Sequence, residues 1–164
     1  MNRLPKRIDG IQWSLCLALG ALTTLGCNRR SDTKLQEMFD NHRDDFTRLA
    51  MMSEQDRHIV RIAFKTNDPD PDSSEPGLSE QRWEQYRVLF RKLEIADGIE
   101  RRRDFPGVVF FWADCNGSAI SRDCKGYAYS EGSPAPILGD LNKLAPGVAF
   151  KPLSRNWYLF RDGG

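Results

Sequence analysis

Apolar residues recur along this chain with several different spacings, and each spacing predicts a different element. Near the start, Trp13 to Leu25 is an uncharged, largely apolar run of 13 residues. From Thr33 onward, Leu35, Met38, Phe39, His42, Phe46 and Leu49 recur at three and four residues, one face of a helix running to about Ser53. Thr33 with Gln36 three residues later reads as its capping box. His58 to Lys65 alternates instead, with Val60, Ile62 and Phe64 on one side and Arg61 and Lys65 on the other, a strand with one wet face. The next stretch, "TNDPDPDSSEPG", is rich in proline and acid and has no apolar residue to pack. It predicts an exposed loop over 66–78 that stays out of any sheet.

A second helix is expected after Ser79, its cap. Leu78 and Trp83 are placed for a hydrophobic staple, Trp83, Tyr86, Phe90 and Leu93 share a face, and Asp97-Gly98 marks the end. The C-terminal half reads mostly as strand. Val108 to Ala113 is continuously apolar, as expected of a central strand covered on both faces. Asn116-Gly117 is a hairpin signal with Ser118–Ser121 as a short return strand, and Gly126–Ser130 alternates around Tyr127 and Tyr129. Ile137, Leu138, Leu141 and Leu144 fall on one face of a short helix. Val148–Leu153 and Trp157–Arg161 form a hairpin around Ser154-Arg155-Asn156. Strands joined by short turns imply a single α+β domain, a mostly antiparallel sheet with about three helices packed mainly on one face.

Composition adds limits. The chain has 164 residues, enough for one domain, and is 40% hydrophobic and 29% charged, ordinary for a folded protein. Its net charge of +1 falls to −1 once the first 26 residues, with three bases and one acid, are set aside. Such a near-neutral domain gives no electrostatic case for nucleic acid.

The apolar run then acquires a meaning. A bilayer-spanning helix needs ~20 residues, so 13 is too few, while a basic start (Arg3, Lys6, Arg7) followed by a run of this length fits a secretory signal. It ends in Thr24-Leu25-Gly26-Cys27, which resembles the lipobox of bacterial lipoprotein signals. There a small residue precedes a cysteine whose thiol takes up a diacylglycerol; cleavage follows before the cysteine, and its new amino group is acylated, with palmitate among the usual chains. Gly26 supplies the small neighbour. The pattern prefers Leu at −3 and a small residue at −2, and here Thr24 and Leu25 stand nearly swapped. The resemblance implies a signal peptide over 1–26, lipidation of Cys27, a tether over 27–32 and the domain over 33–164. Each buried CH₂ contributes about 0.8 kcal/mol, so several long chains anchor stably. By the enterobacterial sorting rule, Asn28 rather than Asp after the cysteine implies the outer membrane, on its periplasmic side.

A second resemblance covers roughly half the chain. "FPGVVFFWAD", "KGYAYSEGSPAP", "ILGDLNKL" and "NWYLF", in this order, resemble a group of small bacterial proteins of uncharacterised activity, often predicted lipoproteins. It implies no catalytic or cofactor-binding residue.

The chemistry-bearing residues are few. Cys115 and Cys124 flank the predicted hairpin. A structural disulfide is favoured over two free thiols in an exported protein, and the C-x₈-C spacing is not that of a redox or zinc motif. Asp68, Asp70 and Asp72 alternate like the opening of a calcium loop, but Ser73 and Ser79 stand where that loop needs Gly and Glu. His42 and His58 are the only histidines. Ser118 and Ser121 have no nucleophile motif around them, and Arg101–Arg103 reads as a solvated connection. Tyr127, Tyr129, Trp157 and Tyr158 are candidates for an aromatic binding surface, core being the commoner use of aromatics at strand spacing.

Two functional readings follow. One is a non-enzymatic, envelope-tethered binding or accessory protein with a membrane anchor, an envelope protein as partner and no cofactor or metal. The other is a periplasmic enzyme whose residues converge from distant segments, such as Asp114, Ser118 and His58. Without lipid on Cys27 the protein would instead be a soluble secreted domain.

Overall fold

A computed structural model describes residues 30–72, 74–117, 122–143 and 146–163. Helix α1 spans Asp32–Asn41, and its cap is Ser31, whose Oγ accepts from the Lys34 amide at 3.2 Å. The expected box on Thr33 is displaced because the backbone is extended at Ser31 and already helical by Asp32. Ser31 and Asp32 therefore belong to the folded domain and not to a tether. The single long helix expected to Ser53 is two: at His42 the backbone leaves helical geometry (φ −129, ψ 29), and α2 runs Arg43–Gln55. The Phe46 amide still bonds the His42 carbonyl, so the path bends at one residue without separating.

Strand β1 covers Ile59–Ile62, and β2, Asn67–Pro69, pairs with it antiparallel. The acidic, proline-rich segment thus does enter the sheet. It does so at the edge, where Pro69 ends the strand and a missing N–H is tolerated. A bulge between Ile59 and Arg61 shifts the alternation, so Ile59 and Ile62 are buried while Val60 is only half-buried. Helix α3, Glu80–Lys92, is capped by Ser79 as expected. Its end is not at Gly98: Glu94 takes the left-handed turn (φ 52), and Gly98 opens β3, Gly98–Arg101. Gly98 has φ 83, and a Cβ there would run into the Ile62 carbonyl of β1.

Strands β4 (Val108–Gly117), β5 (Arg122–Ser130), β6 (Gly147–Ser154) and β7 (Trp157–Gly163) complete an antiparallel sheet in the order β2-β1-β3-β4-β5-β7-β6. The proposed return strand Ser118–Ser121 lies outside the described residues, and β5 is longer than expected because it pairs with β4 from Arg122 onward. The short helix expected over 136–144 is a single 3-10 turn, Leu141–Lys143. Pro136 and Leu138 instead bond the backbone of Phe150 on β6, leaving Ile137 exposed.

Val108 to Ala113 is buried on both faces, as its apolar run requires. Val109, Phe111 and Ala113 face all three helices, in a core with Phe39, Phe46, Tyr86, Phe90, Tyr127 and Trp157. Val108, Phe110 and Trp112 face the other way, with Phe150 and Phe160. On that side the rings of Phe110 (β4) and Phe150 (β6) are 5.9 Å apart, although β5 and β7 lie between them. A flat sheet would separate these strands by about 14 Å, so the sheet curls towards this face. Phe105 closes the hollow, 5.6 Å from each ring.

Candidate functional site

The entry of the chain into the domain is held by residues far away in sequence. The Arg30 amide donates to Asp114 Oδ2 at 2.8 Å, and its guanidinium donates to the Glu94 carbonyl at 3.0 Å and pairs with Glu94 Oε2 at 3.1 Å. Two residues on, Asp32 receives Lys125 Nζ at 2.7 Å and Lys151 Nζ at 3.4 Å. Lys125 is 2% exposed and also donates to Asn142. Burial pushes the Asp32 carboxyl up, but the hydrogen bond and charge of Lys125, with Lys151, more than offset this, leaving it below its ordinary value. No local pattern pointed to either clasp.

Beside the first clasp, Cys115 and Cys124 are directly opposed on β4 and β5 and joined as a disulfide. Arg122 leans over them, bonded to Asp97 at 2.5 Å, with its guanidinium 5.5 Å above Trp112. Cys27 lies outside the described residues.

Two of the four aromatic residues expected at a recognition surface, Tyr127 and Trp157, are buried, and Tyr129 and Tyr158 are half-buried. Tyr127 is fully buried, its hydroxyl donating to the Leu35 carbonyl at 3.0 Å, and Trp157 is buried between Phe39, Phe46 and Phe111. Burial pushes the Tyr127 phenol well up. Tyr129 is half-buried against Trp157, and Tyr158 is tied to the Gly132 carbonyl. Alternate strand positions point inward here because helices cover one face of the sheet and the curl closes the other.

The catalytic trio does not assemble either. β1 and β4 run parallel, both being antiparallel to β3, and Ile62 lies level with Ile99 and Phe111. His58 is four residues back from that level and Asp114 three residues forward, a separation of about 23 Å at ~3.3 Å per residue. His58 Nδ1 sits 3.1 Å from Glu75, and Asp114 holds Arg30. Ser118 is outside the described residues.

The remaining charged candidates pair with one another. Arg103 reaches Asp72 at 2.9 Å and Asp70 at 3.9 Å, so the acidic segment meets a guanidinium, and Asp70 also accepts from the Asp72 amide. Arg101 is no solvated connector: it lies in β3 and bonds the Ser53 carbonyl and Glu54. Arg102 bridges Asp104 and Asp162. His42, at the helix bend, is 3.6 Å from Asp45. A cavity of about 500 Å³ beside α1 is lined by Arg30, Lys34, Glu37, Met38, His42 and Glu94. A groove of about 690 Å³ between α2 and α3 carries Arg48, Glu84, Val88 and Leu89. Neither gathers a nucleophile with a base. Among the described residues, no three His, Cys, Asp or Glu side chains are grouped to hold a metal, and no helix is long and apolar enough to cross a membrane.

No family model, curated protein or solved structure matches this chain.

Proposed function

We propose that this is a lipid-anchored protein of the bacterial envelope, held through Cys27 at the periplasmic face of the outer membrane, and that it serves as a non-enzymatic binding or accessory module for another envelope protein. The lipobox resemblance supplies the anchor. The observation that carries the reading is the clasp on Arg30: three residues beyond the lipobox cysteine, the backbone amide is already fixed to Asp114 and the side chain to Glu94. A lipid on Cys27 would therefore hold the whole domain at the headgroups. The non-enzymatic role is supported by the pairing of candidate charges with each other and by the distance between His58 and Asp114.

Intact mass of membrane-extracted wild type beside Cys27→Ser tests it. The expected outcome is a mature chain beginning at Cys27 with acyl chains attached, and loss of both in the variant. An unlipidated chain, cut elsewhere and identical in the two samples, would make this a soluble exported domain.

A further inference from the structure

We infer that the domain stands end-on to the bilayer, with the disulfide-bridged end of β4 and β5 against the lipid headgroups and the opposite end of the sheet turned to the periplasm. This rests on lipidation of Cys27. From Cys27 to Arg30 are three residue spans, at most about 10 Å of extended chain. Arg30 has little freedom at its end of this path, because one hydrogen bond fixes its amide to β4 and two contacts fix its guanidinium to the turn after α3.

The register shows which parts of the molecule lie near that point. Asp114, Cys115 and Asn116 stand at the forward end of β4, level with Cys124 and Asp123 of β5 and beyond Asp97. His58, Arg103 and Arg155 all lie about four residues beyond the mid-sheet level on the other side. Ala96 and Arg155, both exposed, are thus separated by about 23 Å along the strands at ~3.3 Å per residue. A tether shorter than half that distance cannot present both ends to the membrane equally.

Charge supplies little of the orientation. At the lipid-facing end Arg30 is paired with Glu94, and Arg122 with Asp97. Among the described residues these two cations are neutralised in place, so the partner is the bilayer surface held by the anchor and not a particular headgroup charge. The acidic segment with Arg103, and the β6–β7 turn at Arg155, face outward, where a protein in the periplasm reaches them.

The test uses full-length lipidated protein in vesicles of phosphatidylethanolamine and phosphatidylglycerol. Ala96→Cys or Arg155→Cys is labelled with a fluorophore, the native cysteines being blocked by lipid or disulfide, and quenched by nitroxide lipid headgroups. Quenching several-fold stronger at 96 than at 155, unchanged by added salt, is expected. A flexible insert of ~10 Gly/Ser residues before Arg30, with a reach of about 17 Å, should bring the two towards equality. Equal quenching without the insert, stronger quenching at 155, or a contrast that the insert leaves intact would overturn the orientation. Intact mass on the same sample separates the two ideas: acyl chains present without contrast leaves the anchor standing, and acyl chains absent removes both.

Discussion

Lys125 is a buried cation whose main counter-charge, Asp32, belongs to a helix start 93 residues earlier. Burying an ammonium is tolerable only because Asp32 and Asn142 take its hydrogens. Asp32→Ala should therefore destabilise by about 3 kcal/mol, since it strands the cation, whereas adding Lys125→Met should restore much of the loss. Urea denaturation of the single and double variants measures this. The pH dependence has a definite sign. Asp32 titrates below its unfolded value of ~3.9, so its contribution is complete above that pH and disappears as pH falls through the lower native value. Asp32→Asn should flatten that acid limb. Nothing around Asp32 or Lys125 in sequence reveals the pairing, because it depends on where α1 lands on the sheet. Gly126 was legible only as a strand residue. In the fold a Cβ there would meet the Phe111 carbonyl and the Phe160 ring, so strand packing and not a turn excludes a side chain.

Local pattern told most where an element answers to its own neighbours. The run Val108–Ala113 became the two-faced central strand, Ser79 capped α3, and Ser154–Asn156 closed the last hairpin, with Asn156 at φ 62. It told less where tertiary contacts decide. β2 exists because β1 offers an edge, and the stretch 136–144 runs along β6 instead of coiling because its backbone groups find Phe150. The cysteines illustrate the first kind. Hairpin spacing suggested that they face each other, and register makes them direct partners. Replacing both by Ala should cost about 2–3 kcal/mol in the chain-entropy view, because the closed loop is short. The strands should stay paired, since Phe110, Phe111 and Tyr127 hold the hairpin further down. Urea midpoints with and without reductant check this; a reductant-insensitive wild type would mean that the bridge contributes nothing.

At the scale of the molecule, one sheet separates two cores of different construction. On one side three helices cover Phe111, Tyr127 and Trp157; on the other, curl and Phe105 cover Phe110, Trp112 and Phe160. The sequence announces the first side through helical periodicity, but curl has no sequence signal, and Trp112 and Phe160 are legible there only as apolar. The two layers share β4, whose alternate residues feed both, so neither can dissolve while the other keeps its packing. Trp157 reports on the helix side and Trp112 on the curled side, each packed edge-on to a phenylalanine, Phe46 and Phe160 respectively. Two variants isolate them: Trp83→Phe with Trp157→Phe leaves Trp112 as the domain's tryptophan, and Trp83→Phe with Trp112→Phe leaves Trp157. In each, urea transitions followed by fluorescence and by far-ultraviolet circular dichroism should coincide, the mark of two-state unfolding. A Trp112 signal that melts ahead of the secondary structure would mean that the curled face opens alone, with Phe105 as a removable cover. Phe105→Ala should then sharpen that early step, whereas in a cooperative molecule it lowers the stability reported by both probes together, by about 2–4 kcal/mol for a large, partly buried ring.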